Sequence, residues 1–283
     1  DSELQKYALD RMGEQSGSVA VMEINSGDIL ALASNPYFNP NAFNLGISQQ
    51  EWDKLVSDER KPLLNKSIAG QYAPGSTFKM LVALAGLQEG AISPEEKITC
   101  TAKYEYGKDL FHCWFDEGHG AINMHDAIKH SCDVYFYELA RRIGVEPIAQ
   151  MAKKFGLGEK THIEATGEKK GIVPSKDWKR ANLDALWQKG ETLITGIGQG
   201  YLLATPLQLA GMVSTLANGQ HVVRPNLIYA MGGNIKTMPD TPFLNIDQAH
   251  LALVHEAMKA VTHDADGTAF MPDLNVDGQR MAG

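Results

Sequence analysis

The amino-acid sequence predicts an α+β protein in which helices predominate. The segment "SGSVAVMEINSGDILALAS" (16–34) has strand-forming residues on both sides of the turn residues Asn25 to Asp28, and so predicts a β-hairpin. Such a hairpin needs further strands as sheet partners to be stable. Several later segments instead repeat apolar residues at helical spacing, which predicts amphipathic or buried helices.

The helices are predicted from their start and stop signals. One opens at the Pro-Gly turn of "YAPGSTFKM" and continues through "MLVALAGL" until Gly90 ends it. In "TPLQLAGMVSTLANG", Thr205 is the predicted N-cap, Pro206 the first helical residue, and Gly219 lies past the end. Further helices are predicted at 124–142, 147–155 and 247–263. The remaining segments are predicted as a polar loop (35–55), a region with few periodic patterns (91–122) and a glycine-rich turn (195–200).

Length, composition and charge limit the class of protein. With 283 residues, 43% apolar and 21% charged, the chain has the composition of one large globular domain or two small ones. Its net charge of −8 argues against general nucleic-acid binding, because no basic surplus is present to neutralise phosphates. The longest apolar runs are about eight residues, whereas a membrane helix needs about 20. Because the helical pattern "DSELQKYALDRM" begins abruptly, we interpret the chain as a soluble fragment of a longer protein.

A serine and a lysine lie three residues apart where the first of these helices begins. Residues at this spacing share one face of a helix, so the hydroxyl of Ser76 and the amine of Lys79 are expected to touch. A lysine beside a serine can act as its base when burial or a neighbouring cation weakens the hold of the amine on its proton. The pair alone is a weak signal, since a helix start with an exposed lysine has the same pattern.

Two further motifs, taken together with Ser76 and Lys79, give the sequence a resemblance to a known protein family. One is Ser131-Cys132-Asp133, and the other is the glycine-rich "TGIGQGYLLATPLQLA". Together with "NKSIAGQYAPGSTFK", and over nearly the whole chain, they resemble the transpeptidase domain of penicillin-binding proteins, in particular its monofunctional, elongation-type class B branch. The resemblance implies a penicillin-binding transpeptidase or serine β-lactamase-like fold. In this α+β fold an antiparallel sheet is flanked by helices, with a helical subdomain.

The resemblance also implies roles for the motif residues. Ser76 would attack the carbonyl between two terminal D-alanines of a peptidoglycan stem peptide, with Lys79 as its base. Ser131 would relay the proton between Lys79 and the leaving amine, and the N–H of Ser76 would form half of an oxyanion hole. An amine of a neighbouring stem peptide would then resolve the acyl-serine and form the cross-link. β-Lactams would mimic the donor, and no cofactor is implied for catalysis.

Two features depart from the family pattern. Asp133 occupies a position that is usually asparagine; an ionised aspartate only accepts hydrogen bonds, so it is expected to hold Lys79, or else to be a solvated helix carboxylate. The third family motif, Lys-Thr-Gly or Lys-Ser-Gly, does not occur in the sequence. We therefore interpret residues 1–283 as one transpeptidase domain that is incomplete at its C-terminus, and expect such a chain to fold poorly without the later strands.

Three cysteines and a histidine form a second candidate site. The odd number of cysteines excludes a fully paired disulfide framework. A complete tetrahedral ligand set for zinc is supplied by Cys100, Cys113, His119 and Cys132. Their spacing does not match that of zinc fingers, but the resemblance implies a structural zinc ion at these positions. The alternatives are a disulfide between the first two cysteines with the third free, or three unpaired thiols. His112 and His125 are interpreted as surface residues.

Other functions share part of this pattern. A D,D-carboxypeptidase or serine β-lactamase-type hydrolase uses the same serine and lysine, and a penicillin sensor or scaffold module would not cross-link. The hairpin and "TPLQLAGMVSTLANG" favour the biosynthetic branch. The family further implies an enzyme anchored at the periplasmic face of the inner membrane. Its implied partners are a RodA-type glycosyltransferase and MreC.

Overall fold

The computed structural model describes residues 1–44, 46–219, 221–235, 241–270, 275–276, 279–280 and 282. The helices are α1 Ser2–Met12, α2 Asn41–Asn44, α3 Gln49–Ser57, α4 Lys66–Ala69, α5 Lys79–Gln88, α6 Met124–Lys129, α7 Asp133–Ile143, α8 Val145–Lys154, α9 Lys176–Leu183, α10 Lys189–Gly196, α11 Pro206–Asn218 and α12 Gln248–His263. The strands are β1 Gly17–Met22, β2 Ile29–Asn35, β3 Ile98–Cys100, β4 Lys103–Tyr106, β5 Asp109–His112, β6 Gly120–Ile122, β7 Ala230–Met231, β8 Asn234–Ile235, β9 Asn275–Val276 and β10 Gln279–Arg280. A 3₁₀ turn spans Gly75–Phe78.

The chain divides into two compact units. Unit 1 comprises Asp1–Tyr72, Phe155–Gly171 and Leu203–Phe243. Unit 2 comprises Ala73–Lys154, Ile172–Leu202 and Leu244–Gly283.

The predicted hairpin is confirmed in unit 1. β1 pairs antiparallel with β2, with Gly17 opposite Asn35 at one end of the ladder. The other edge of β2 is occupied by Gln5 of α1, whose side-chain amide donates to the carbonyl of Leu32 (3.0 Å) and accepts from its N–H (2.7 Å). A side chain thereby makes the hydrogen bonds that a further strand would make, so this edge of the hairpin is not left open.

Capping boxes begin two helices of unit 1, of which one was predicted and one was missed. α11 begins as predicted, because Thr205 and Gln208 exchange hydrogen bonds, and Gly219 ends it at a φ of 68°. The segment 35–55, predicted as a polar loop, instead contains α2 and most of α3. That prediction was wrong because the capping box of Ser48 and Glu51 marks a helix start in spite of the polar composition.

α5 is the buried centre of unit 2. All residues from Leu81 to Leu87 are buried, and α7, α8 and α12 pack against this helix. α7 packs tightly at Gly86, where a β-carbon would lie 2.6 Å from the side chain of Leu139. The apolar run after the serine motif thus supplies a rigid core element, which holds the 3₁₀ turn at its N-terminal end.

The single helix predicted over 124–142 is interrupted. α6 ends at Lys129 and α7 begins at Asp133, because Ser131 has a left-handed backbone (φ 51°) that an α-helix does not accommodate. Sγ of Cys132 accepts a hydrogen bond from the N–H of Tyr135 at 3.5 Å and so caps α7. The prediction was wrong here because apolar residues continue at helical spacing across the break. The Ser-Cys-Asp motif therefore lies in a turn between two helices.

The α+β class is confirmed. In the part of the chain that the structure describes, helices accompany the antiparallel pairs β1–β2, β3–β6, β4–β5, β7–β8 and β9–β10. The helices predicted at 147–155 and 247–263 are α8 and α12, and the region 91–122 contains β3 to β6. Most of the segment 271–283 lies outside the described residues. None of the described helices is both long and apolar enough to cross a membrane.

Candidate active site

The candidate nucleophile lies on a tight turn at the start of the core helix. Pro74 leads into the 3₁₀ turn Gly75–Phe78, which continues directly as α5. Ser76 is exposed on this turn, whereas Lys79, the first residue of α5, is only 2% exposed. The predicted placement at a helix start is confirmed, with the first turn tightened from α to 3₁₀.

The four predicted catalytic residues meet in one chain of hydrogen bonds. Nζ of Lys79 donates to the carbonyl oxygen of Ser131 (2.8 Å), to its Oγ (3.0 Å) and to Oδ1 of Asp133 (2.7 Å). Oγ of Ser131 in turn donates to Oγ of Ser76 at 2.8 Å. The sequence predicted a direct contact between Ser76 and Lys79; in the described structure the hydrogen bonds between them instead pass through Ser131.

Nζ of Lys79 is buried and has three hydrogen-bond partners. Their number matches the three N–H donors of an ammonium, and in that form the nitrogen has no lone pair. Asp133, whose side chain is 13% exposed, compensates the charge and is not a solvated carboxylate. A lysine base needs burial or a neighbouring cation, and Lys79 is buried beside an anion. Lys79 therefore has to give up a proton before it can act as a base.

Trp114 supports the catalytic turn, and sequence reasoning missed it. Its indole Nε1 donates to the carbonyl oxygens of His130 and Ser131, both at 3.0 Å. Its backbone N–H donates to Oδ2 of Asp133 at 3.0 Å, so both carboxylate oxygens of Asp133 have partners. These contacts hold Ser131 in its left-handed conformation and orient Asp133. The only signal in the sequence was the position of Trp114 next to a candidate metal ligand.

The predicted glycine-rich turn lies against the nucleophile turn. The N–H of Gly75 donates to the carbonyl oxygen of Gly198 at 2.9 Å. A β-carbon on Gly198, whose φ is 74°, would lie 2.1 Å from the carbonyl oxygen of Gly75. Only glycine permits this approach, so the "TGIGQG" segment has a structural role beside Ser76 and is not merely a flexible loop.

The four candidate metal ligands also meet. Their ligand atoms, from Cys100, Cys113, His119 and Cys132, all lie within 4.8 Å of one another. Nδ1 of His119 is 3.6 Å from Sγ of Cys100 and 3.6 Å from Sγ of Cys113. All three thiols are buried and unpaired. His112 is exposed and His125 pairs with a neighbouring carboxylate, so the interpretation of both as surface residues agrees with their positions.

The two sulfur–nitrogen separations at His119 match those around a tetrahedral zinc ion. With Zn–S of about 2.3 Å and Zn–N of about 2.0–2.1 Å, tetrahedral angles put sulfur and nitrogen about 3.6 Å apart. A hydrogen bond from Cys132 lowers the pKa of Cys113 and raises that of Cys132. Next to the cluster, His130 stacks on His119 with ring centroids 5.7 Å apart, and burial lowers the pKa of His130.

An exposed serine joined through a second serine to a buried lysine, at the start of a core helix, defines a serine-type acyl-transfer site. The chain belongs to the penicillin-binding protein transpeptidase domain family, whose model matches residues 17–283. The resemblance drawn from the motifs and the fold class it implied are thereby confirmed.

Individual relatives indicate which branch of the family this chain is similar to. The peptidoglycan D,D-transpeptidase MrdA of Acinetobacter baumannii is 38% identical over 247 residues, which are 85% of this chain and 37% of the relative. The structure of Pseudomonas aeruginosa penicillin-binding protein 2 in complex with WCK 5153 has a TM-score of 0.91 and 38% identity, covering 95% of this chain and 60% of that one. A complex of penicillin-binding protein 2 and MreC from Helicobacter pylori has a TM-score of 0.87 and 35% identity, covering 95% and 50%.

These relatives confirm the assignment to the elongation-type branch, that of penicillin-binding protein 2. The chain spans less than half the length of the curated relatives named as peptidoglycan D,D-transpeptidases.

Proposed function

We propose that this chain is the catalytic domain of a peptidoglycan D,D-transpeptidase, which cross-links stem peptides through an acyl-serine intermediate. The observation that carries the proposal is the hydrogen-bonded chain from Ser76 through Ser131 to Lys79 and Asp133. Such a chain can take a proton from an exposed hydroxyl and deliver it to a leaving amine. The names of the relatives support the same substrate class.

In the first half-reaction, Oγ of Ser76 attacks the carbonyl carbon of the bond between two terminal D-alanines. Its proton moves to Oγ of Ser131, whose own proton moves to the neutral amine of Lys79. The C–N bond then breaks, and the same chain returns a proton to the amino group of the departing D-alanine. The product is an ester of Ser76 with the shortened peptide.

For this step Lys79 has to be neutral, and the hydroxyl of Ser131 has to donate to Nζ of Lys79. Oδ1 of Asp133 lies 2.7 Å from Nζ and can accept the proton that Lys79 loses. The transfer replaces a buried pair of opposite charges by a neutral pair, which removes the cost of burying two charges. An asparagine at position 133 could not accept this proton, so the aspartate gives Lys79 a way to become a base.

The second half-reaction resolves the ester. A neutral amine of a neighbouring stem peptide attacks the acyl carbon, the C–O bond to Ser76 breaks, and a new amide forms the cross-link. The proton lost by the amine passes along Ser131 to Oγ of Ser76. A β-lactam acylates the same oxygen, but its leaving group stays tethered to the acyl carbon, so the ester persists.

Intact-mass spectrometry of the protein after treatment with benzylpenicillin tests the proposal. We expect one stable penicilloyl adduct per chain, mapped to Ser76 by peptide sequencing, and amide cross-links when two stem peptides are supplied. Rapid loss of the adduct with release of penicilloic acid would identify a hydrolase instead. A stable adduct without cross-linking would identify a sensor, and no adduct at all would identify a scaffold module.

Lys79→Ala is expected to slow acylation by benzylpenicillin at least about 100-fold, the lower range for loss of a general base. The rate is measured by stopped-flow or quenched labelling on protein whose folding is checked by circular dichroism. Because the change also leaves Asp133 without its buried partner, a matched control is needed.

Lys179→Ala supplies that control. Lys179 of α9 is also buried and pairs with Glu191 of α10, but it takes no part in the proton chain. We expect this variant to lose stability and to be acylated at a nearly unchanged rate. A nearly normal rate in Lys79→Ala would mean that another group is the base.

We further propose that Cys100, Cys113, His119 and Cys132 bind a structural zinc ion. The proposal is supported by three buried thiols and the half-buried His119, and by two sulfur–nitrogen separations of 3.6 Å that match tetrahedral coordination. Four protein ligands leave no open position for water, so the ion would connect β3 and the segment before β6 to the start of α7. The proton chain described above does not pass through it.

For the whole protein, we propose a location at the periplasmic face of the inner membrane and assembly with MreC and a RodA-type glycosyltransferase. The MreC complex of the Helicobacter pylori relative supports the first partner. The second follows from the proposed reaction, because cross-linking acts on glycan strands that a glycosyltransferase makes.

A further inference from the structure

A pocket of about 510 Å³ adjoins the catalytic turn in unit 2. The residues that matter to its chemistry are Trp114, Phe115, His119, His130, Asp266 and Thr268, and we call it the Trp114 pocket. Three aromatic rings pack together on one side of it: Trp114 and Phe115 at 5.7 Å, Phe115 and His119 at 5.1 Å, and Trp114 and His119 at 5.7 Å between centroids. The pocket is therefore an aromatic cleft with a carboxylate among its lining residues.

Trp114 places this pocket next to the reacting atoms. The same indole that lines the pocket donates to the carbonyl oxygen of Ser131, and Oγ of Ser131 lies 2.8 Å from Oγ of Ser76. The pocket and the nucleophile are therefore separated by Trp114 and Ser131 only, along this chain of contacts.

The charge around the pocket is negative. Nζ of Lys129 lies 3.1 Å from Asp266, 3.5 Å from Asp264 and 3.7 Å from Asp126, so one ammonium faces three carboxylates and two negative charges remain. Among these four residues only Asp266 lines the pocket, and the described lining contains no lysine or arginine. Oδ2 of Asp266 also lies 3.5 Å from Nε2 of His130. The side chain of Asp266 is 63% exposed, so a ligand can reach its carboxylate.

The loop that carries Asp266 is held in place. The N–H of Gly267 donates to the backbone carbonyl oxygen of Asp264 (2.9 Å), and the N–H of Thr268 donates to that of Lys129 (3.4 Å). A β-carbon on Gly267 would lie 2.3 Å from the carbonyl oxygen of Val261 in α12, so the loop lies directly against this helix. Asp266 is thus presented to the pocket from a defined position.

We propose that the Trp114 pocket binds a primary ammonium on a side chain of the acyl-donor peptide, with Asp266 as its anionic partner and the rings of Trp114 and Phe115 as its aromatic wall. The inference rests on the proposed function, because it names a feature of the same peptide substrate. A carboxylate and aromatic faces together are the groups that proteins use to bind alkylammonium ions.

The reaction itself explains why such an ammonium is present on the donor. The cross-link forms from an amine of a neighbouring stem peptide, and donor and acceptor are strands of the same kind, so the donor carries this amine as well. On the donor it does not react and stays protonated. A carboxylate stabilises the charged form of an amine, whereas the attacking amine must be neutral. The pocket is therefore suited to the donor ammonium rather than to the attacking amine.

Two synthetic acyl donors test this inference on the whole protein. Both are peptides that end in D-alanyl-D-lactate, and the residue before the D-alanine is either lysine or acetyllysine. Acylation of Ser76 by these esters releases D-lactate, which is measured enzymatically. Since a charge-assisted hydrogen bond contributes about 1.5–3 kcal/mol, we expect the specificity constant for the lysine peptide to be about tenfold higher or more.

Asp266→Asn and Asp264→Asn form a matched pair of variants. Both changes remove one negative charge from the same loop and from the surroundings of Lys129, but only Asp266 lines the pocket. We expect the preference for the lysine peptide to fall to nearly one in Asp266→Asn and to persist in Asp264→Asn. Each protein is first labelled with benzylpenicillin to establish that Ser76 is reactive.

The possible results separate the inference from the proposed function. Equal rates for the two peptides in the unmodified protein, with Ser76 labelled by benzylpenicillin, would overturn the inference and leave the proposed function standing. If both variants lost the preference for the lysine peptide equally, the preference would come from long-range charge and not from binding in the pocket. That result would also overturn the inference. The inference would likewise be overturned if Asp266→Asn changed only the transfer of the acyl group to an added amine and left the acylation of Ser76 unchanged. Failure of benzylpenicillin and both peptides to acylate Ser76 would overturn the proposed function itself.

Discussion

Ser76→Ala is expected to abolish covalent labelling by fluorescent penicillin while the protein stays folded. Oγ of Ser76 is the atom that forms the acyl bond, so its removal leaves no ester to form. The side chain is exposed, and its hydrogen bond from Ser131 is the contact that is lost. Substitutions at exposed positions change the free energy of unfolding by about 0.5 kcal/mol or less. In-gel fluorescence and a thermal unfolding curve measure the two effects.

Thr77→Ala is the matched control for this experiment. Thr77 is the next residue of the same 3₁₀ turn, is also exposed, and donates its hydroxyl hydrogen to the carbonyl oxygen of Pro74 at 2.8 Å. We expect the control to be labelled at a nearly normal rate. If labelling instead survived in Ser76→Ala, the nucleophile would be another residue, with the neighbouring hydroxyl of Ser131 as the first candidate.

The elements that the sequence predicted correctly depend on residues close together along the chain. The hairpin follows from strand formers on both sides of a four-residue turn, and α11 from a cap, a proline at its first position and a glycine at its end. The start of α5 with Ser76 and Lys79 follows from a Pro-Gly turn before an apolar run. Each signal is local, so one sequence is enough to interpret it.

The turn that contains Ser131 could not be predicted in this way. Its left-handed backbone is held by hydrogen bonds from Trp114, 17 residues earlier, and from Lys79, 52 residues earlier. The residues of segment 124–142 do not themselves indicate the break between the two helices, because the apolar residues continue at helical spacing. The hydrogen bonds from Ser76 through Ser131 to Lys79 depend on this break. The residue spacing alone predicted a direct contact between Ser76 and Lys79, and only the family resemblance implied a role for Ser131.

The cysteine cluster shows the same limit. Its spacing along the chain is irregular because strand pairing, not a short motif, brings the ligands together. Cys100 of β3 lies opposite Gly120 of β6, which places the adjacent His119 beside it. The N–H of Cys113 donates to the carbonyl oxygen of Ala102 at 2.8 Å, which brings the second thiol to the same place. Residue types identified the candidate ligands, but only the pairing of these strands explains why they meet.

Removal of the proposed zinc ion is expected to loosen residues 91–122 and to lower the thermal stability of the protein. This segment has short strands and few buried side chains, so a bound metal would supply much of the free energy that orders it. With zinc at 1,000 times its dissociation constant, ligand binding stabilises the folded state by about 4 kcal/mol. Hydrogen exchange over 91–122 and the unfolding midpoint, with and without a chelator, measure the effect. Plasma emission measures the metal content of protein purified without chelator.

Cys132→Ser separates the metal from the helix cap. Sγ of Cys132 caps α7, and serine is a preferred N-cap residue, so the cap is retained while a metal ligand is lost. We expect this variant to lose zinc and to resemble the chelated protein, whereas His112→Ala, which changes an exposed histidine of the same segment, should retain both zinc and stability. If the purified protein contains no metal and a peptide map shows a bond between Cys100 and Cys113, the segment is held by a disulfide instead. Stability would then fall with a reductant rather than with a chelator.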